Sequence, residues 1–298
     1  MKKNNRSTLV AVLALIVLSL IWSYNWVVTK SVLQFVGALD FTALRCALGA
    51  LLLLLLLPLS GRPLKPPSWR PVLWVALFQT VGMTGLSQLA LVSGDVGKMA
   101  VLAYMMPFWV ILLAVLFLGE RPYLLQCVAA MIAALGLVLV IQPWQWHGSL
   151  FSSLLATASG LSWAIASVIT KRAFRHQGVD VLNLVAWQMA IGSVVLSVLA
   201  IATHKTPIVW SSYMLVALGY NVVLATALGW TLWLFVLRAL PTGIAGISTL
   251  MIPVMSVLWA WWLLGEKPND FEEYGIGLIL LALALLGVPA PKAKEPKT

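Results

Sequence analysis

Near the start of the chain, three side chains that can bind other molecules share one side of an apolar stretch. Trp22, Asn25 and Thr29 are spaced i, i+3 and i+7, so a helix places them on a single face. An indole, an amide and a hydroxyl offer donors, acceptors and an aromatic surface. That set can hold a small organic molecule, and it lacks the nucleophile–base pair needed to cleave one. A stripe of similar composition, Trp163, Ser167 and Thr170, follows 141 residues later. Other polar groups interrupt apolar runs at Gln79, Thr84 and Gln88, at Tyr104, at Asn221, and at Ser248 and Thr249. The amides of Gln79 and Asn221 suit the amino or carboxyl group of a zwitterion, because each carries both donor and acceptor. For any one of these residues, a hydrogen bond that glues two helices together is the competing role.

Two prolines add backbone chemistry. Pro107 and Pro253 sit near the centres of apolar runs, where proline removes a donor and kinks the helix. The carbonyls one turn earlier, of Ala103 and Thr249, are then expected to be free for a substrate ammonium, an ion or water. A hinge is the related role for both prolines. Each of these runs ends in a charged turn, "LGERP" at 118–122 and "LGEKP" at 264–268. Glu120 and Glu266 lie at the C-terminal ends of their helices, the unfavourable end of the dipole for an acid. Arg121 and Lys267 are expected to offset this. Each glutamate is also a candidate gate, pairing with a cation on its own side of the molecule.

Other chemistry finds little support. All nine acids lie in loops, at the ends of apolar runs or in the tail, so no carboxylate is placed to carry a proton mid-way. His147, His176 and His204 are in loops, and Cys46 and Cys127 lie singly in apolar runs. A membrane-embedded enzyme would need such groups clustered. No metal spacing, cofactor motif or nucleotide-binding loop is present, and no cofactor or metal is expected.

The elements that must position these groups follow from composition. Of 298 residues, 61% are hydrophobic and 9% charged, against about 25% charged in a soluble domain. The mean hydropathy is +0.98. The solvent is therefore largely lipid, and runs of roughly 20 apolar residues span it as helices, which satisfy their own backbone. The apolar runs predict ten spans, near 8–29, 39–59, 71–92, 97–118, 123–142, 149–170, 181–203, 211–236, 243–264 and 272–289. The first run resembles a signal peptide but lacks a small-x-small cleavage site, and is expected to stay as a span. The net charge of +10 is spread between spans and forms no patch with aromatics, so nucleic acid is not an expected partner.

Loop charges orient the spans. With the N-terminus cytoplasmic, fourteen Lys and Arg fall on the cytoplasmic side, and only Lys30, Lys98, Lys205 and Lys267 fall outside. Both termini are then cytoplasmic. Arg45 lies within the second span and is expected to reach Asp40 or to snorkel outward, with a structural or topogenic role. The two pentapeptides fall on opposite faces of the membrane. Trp22 with "VVTK" at 27–30 matches Trp163 with "VITK" at 168–171, and Pro107 matches Pro253 at an offset of 146. Five spans per copy is an odd number, so the second copy enters from the other side. The expected fold is all-α, with ten transmembrane helices in two inverted five-helix repeats, residues 1–146 and 147–298. Such a pair can exchange conformations about a site between the halves.

With these spans, "IWSYNWVVTK", "SWAIASVITK" and the two proline-centred runs, nearly the whole chain resembles the EamA family of the drug/metabolite transporter superfamily. The tryptophan content is similar to that of aromatic amino-acid exporters of the YddG type. The resemblance implies a central cavity lined by spans one, three, four, six, eight and nine. It also implies export of a small metabolite, with neutral or aromatic amino acids as the main expectation, across the cytoplasmic (inner) membrane. Drug or other metabolite efflux and facilitative uniport stay open, as does the oligomeric state. The export direction comes from the resemblance alone.

Overall fold

The computed structural model describes residues 2–94, 96–120, 122–142, 144, 150–204, 207–264 and 269–286. Within them lie ten helices. α1 is Lys2–Val32, α2 is Ala38–Leu59 and α3 is Trp69–Ser93. α4 comes in two pieces, Val96–Ala103 and Met106–Leu118, and α5 is Leu124–Ile141. α6 is Leu150–Gln177, α7 is Val181–Thr203 and α8 is Ser212–Ala239. α9 again comes in two pieces, Thr242–Ser248 and Met251–Leu264, and α10 is Asp270–Leu286.

Among the described residues, eight of these helices are long and apolar enough to cross a membrane, and α5 contributes a shorter apolar stretch, Leu124–Leu139. Their outward faces carry large hydrophobic side chains, such as Leu55, Leu116, Val198 and Ile201. Water would penalise that surface, while lipid accepts it.

The helices pack as two interlocked copies. α2 lies along α7, and α5 lies along α10. α1 packs on α8 and α9, and α6 packs on α3 and α4. Each first helix therefore rests on the third and fourth helices of the other copy, as a two-fold axis in the membrane plane requires. The protein is an all-α membrane protein of ten transmembrane helices in two inverted five-helix repeats.

Departures from regular helix also repeat. α3 widens to π geometry over Ala76–Gly85, and α8 does so over Asn221–Leu228. α4 breaks at Tyr104–Met105 and α9 at Thr249–Leu250, each just ahead of its proline. In α4, Met105 N–H reaches only to Leu102 O at 3.2 Å. In α9, Thr249 and Leu250 turn back three residues, to Gly246 O and Ile247 O. The expected free carbonyl of Thr249 is not free, because it accepts from Ile252 N–H at 2.9 Å. Proline here starts a new helical piece, and a tight turn takes up the orphaned acceptor.

Candidate functional site

A small cavity of about 50 Å³ lies beside α1, on the half of the protein away from the N-terminus. Trp22, Asn25, Trp26 and Thr29 of α1 form one wall. Met83, Thr84, Ser87, Gln88 and Leu91 of α3 form another, with Arg45 of α2, Tyr104 at the break in α4, and Ala225 and Trp230 of α8 completing it. The π stretch in α3 is visible in the bonding, since Thr84 Oγ1 donates five residues back, to Gln79 O at 3.2 Å. That extra residue per turn brings Gln79, Thr84 and Gln88 towards one side of the helix. Thr29 Oγ1 is occupied within α1, donating to Asn25 O at 2.7 Å.

An aromatic cluster underlies the cavity. Trp22 stands 4.8 Å from Trp230 and 5.5 Å from Trp163, ring centre to ring centre. Trp163 in turn meets Tyr104 at 5.6 Å and Trp233 at 5.1 Å, all edge-on. Such edge-to-face pairs favour fixed positions, each contributing about 0.5–1.5 kcal/mol beyond burial. Trp22 Nε1 donates to Ala225 O at 3.0 Å, tying α1 to the π stretch of α8. Gly160 of α6 permits a second close approach: a Cβ there would lie 2.6 Å from Ala103 O, at the break in α4.

The structure thus brings Trp22, Asn25, Thr29, Thr84, Gln88 and Tyr104 to one cavity. Trp163 is buried beneath it, as part of the aromatic cluster. Gln79 is buried with both amide atoms unpartnered. Asn221 donates within its own helix to Ala217 O, leaving Oδ1 unpartnered. Ser167 and Thr249 are buried and bond to their own helices, at Trp163 O and Gly246 O. Ser248 lines a different, mostly apolar groove with Leu15, Ile16, Met251 and Leu283.

The sequence leads to the expectation that Arg45 reaches Asp40 or snorkels outward, in a structural or topogenic role. The structure instead gives Asp40 to His204, at 3.0 Å across α2 and α7, and places Arg45 in the cavity wall. A cation part-way into an apolar run was the available signal. What separates a snorkelling arginine from a cavity arginine is the packing around it, which a single sequence does not display.

The ends of the site are tied across the repeats. Gly119, with φ 63, ends α4 in the left-handed conformation that glycine adopts at least cost. Glu120 then turns away from its own helix. Its carboxylate accepts from Thr242 N–H and Thr242 Oγ1, both at 3.0 Å, so it caps α9 at the favourable end of that dipole. It also pairs with Arg175 of α6, whose other nitrogen donates to Leu118 O at 3.0 Å. The dipole problem is therefore solved across the repeat boundary. Arg121, Glu266 and Lys267 lie outside the described residues.

The matched lysines behave alike. Lys30 Nζ donates to Leu91 O and Gly94 O, at 2.9 and 3.1 Å, at the end of α3. Lys171 Nζ donates to Leu237 O and Leu240 O, at the end of α8. Each cation neutralises the carbonyl end of the third helix in its own repeat. Among the described residues, no His, Cys, Asp and Glu gather to hold a metal.

Comparison with known proteins agrees with this architecture. The chain is 26% identical to the uncharacterized transporter YoaV of Bacillus subtilis (strain 168), over 92% of this chain and 93% of the relative. It is 26% identical to the uncharacterized inner membrane transporter YedA of Escherichia coli (strain K12), over 92% and 89%. The threonine/homoserine exporter RhtA of the same strain is 28% identical, over 85% and 83%. A solved crystal structure superposes with a TM-score of 0.77 at 19% identity, covering 92% of this chain and 95% of that chain, which shows the shared fold. The EamA-like transporter model matches twice, at residues 9–142 and 150–288, so the protein with this paired-repeat cavity belongs to the EamA-like transporter family, as a multi-pass transporter of the inner membrane.

Proposed function

We propose that this protein exports small neutral or aromatic amino acids by alternating access, with both termini on the cytoplasmic side. Residues 1–146 form the first repeat and residues 147–298 the second. The observation that carries this is the cavity wall itself: hydroxyls and amides set among tryptophan and tyrosine rings, next to the boundary between two inverted repeats. Neutral polar groups suit a zwitterion, and the rings suit an apolar or aromatic side chain. The 28% identity to a named threonine/homoserine exporter adds support for the class.

About 50 Å³ leaves room for a few waters and is too small for an aromatic amino acid. Transport therefore requires the walls to part. The breaks at Tyr104–Met105 and Thr249–Leu250 and the two π stretches are the hinges proposed for this, with Pro107 and Pro253 setting their places. Glu120 is the proposed gate on the N-terminal face, through Arg175 and Thr242. Glu266 is proposed for the same duty on the other face.

A facilitative mechanism, without proton coupling, has one specific observation in its favour: no carboxylate lines the cavity among the described residues. Counterflow of the twenty amino acids in proteoliposomes, with and without a pH gradient, tests both points. Saturable, countertransport-stimulated flux of an amino acid is expected. Flux of cationic drugs with no amino acid carried would replace the proposal with drug efflux. A rate that follows the pH gradient would remove the facilitative mechanism.

A further inference from the structure

Arg45 is out of place by every ordinary account of a membrane arginine. A topogenic arginine snorkels to the surface, yet Arg45 is only 7% exposed. A structural arginine has an acid beside it, yet Asp40 is engaged by His204 and Arg45 has no carboxylate partner among the described residues. Its Nε is buried and unpartnered. A buried charge with no counter-ion costs several kcal/mol, which folding does not keep without compensation. It faces the cavity between Asn25, Thr29, Ser87 and Gln88, none of which carries charge. The second repeat has no equivalent. Counting from the helix caps Gly37 and Asp180, the matching position is Gln188, which is buried and carries no charge.

We propose that Arg45 is the specificity-determining residue that recognises the carboxylate of the transported substrate. The inference rests on taking this cavity as the transport site. A guanidinium presents donors in a planar fork that matches a carboxylate, so one substrate group would supply the missing counter-ion. Gln88 lies in the same wall with Nε2 unpartnered, a second donor for that carboxylate. Asn25 leaves Oδ1 unpartnered, an acceptor suited to the substrate's ammonium, next to the rings of Trp22, Trp26 and Tyr104. The selected class is a monocarboxylate carrying an amine, and the carboxylate is the indispensable half.

The test is thermal stabilisation of the purified full-length protein in detergent by three mixtures: the twenty amino acids, the matching decarboxylated amines, and the matching deaminated carboxylic acids. The amino acids are expected to raise Tm and the amines to leave it unchanged. Arg45→Gln, checked for a monodisperse elution profile, is expected to weaken the half-saturating concentration roughly 30-fold or more. Arg45→Lys keeps the charge without the fork and should fall between. Stabilisation by the acids but not by the amino acids would uphold Arg45 and discard the amino-acid substrate. Equal stabilisation by the amines, no stabilisation by any mixture, or an unchanged response in Arg45→Gln would overturn the proposal. Where neither variant folds, the three mixtures on the unaltered protein decide.

Discussion

The polar stripe of α1 and its counterpart on α6 have nearly the same composition and opposite fates. Trp22, Asn25 and Thr29 line a cavity, and Trp22 Nε1 has a partner in Ala225 O. Trp163, Ser167 and Thr170 are wholly buried, with Trp163 Nε1 and Thr170 Oγ1 unpartnered. The cavity draws its walls almost entirely from the first repeat, with only Ala225 and Trp230 coming from the second. Two similar halves have therefore settled into unlike arrangements. Under the proposed alternating-access mechanism, this difference between similar halves marks one state, and the other is reached by exchanging the two arrangements. The unpartnered groups on α6 are costly where they stand, and would be relieved once that stripe lined a cavity in turn.

That contrast can be broken at several points. The largest effect is expected from Trp163→Ala, which should lower stability by about 3–5 kcal/mol, as for a large aromatic removed from a packed core. Trp22→Ala should cost clearly less, because its site already borders a cavity. Thermal unfolding in detergent compares the two, and equal costs would erase the distinction between the stripes.

Next is Gly160→Val. The added side chain meets the Ala103 carbonyl at the break in α4, and should cost about 1–3 kcal/mol by overpacking. Transport should fall more steeply than Tm, because the contact sits at a proposed hinge. Normal transport with a lowered Tm would make the contact mere packing.

A smaller effect sharpens the comparison directly. Glu120→Gln keeps the shape of the side chain and weakens the tie to Arg175 and the cap on Thr242, at about 1 kcal/mol. The N-terminal face should loosen and the α6 stripe become more accessible. In a Cys127→Ser background, a cysteine at Ser167 should react several-fold faster with a water-soluble thiol reagent when Glu120→Gln is added. An unchanged labelling rate, together with unchanged transport, would remove the gate. The smallest effect belongs to Asp40→Asn, on the opposite face. His204 is substantially exposed, so the loss should stay below about 0.5 kcal/mol by thermal unfolding. A loss as large as that of Glu120→Gln would mean that both faces are locked equally, against the asymmetry described above.

Much of the scaffold was legible before any coordinates. Ten apolar runs correspond to ten helices, because lipid leaves a backbone of that length few alternatives to helix. Less of the site was legible. Six of the candidate residues meet at one cavity, but Ser248 lines another groove and the Thr249 carbonyl is used within its own turn. Helical spacing places a residue on a face without saying what that face meets. Arg45 shows the same limit from the other side. Asp40 was its nearest acid in sequence, and the neighbouring helix brought His204 to that acid instead.

The sequence by itself determined the solvent, the helices, the repeat and its inversion. These follow from local composition and from an odd number of spans per copy. Only the tertiary structure decided which stripe lines a cavity, that the buried Arg45 has no counter-ion among the described residues, and that Glu120 caps a helix of the other repeat. Those outcomes depend on contacts between residues more than a hundred positions apart. Two similar stripes have equal claims on them until packing favours one.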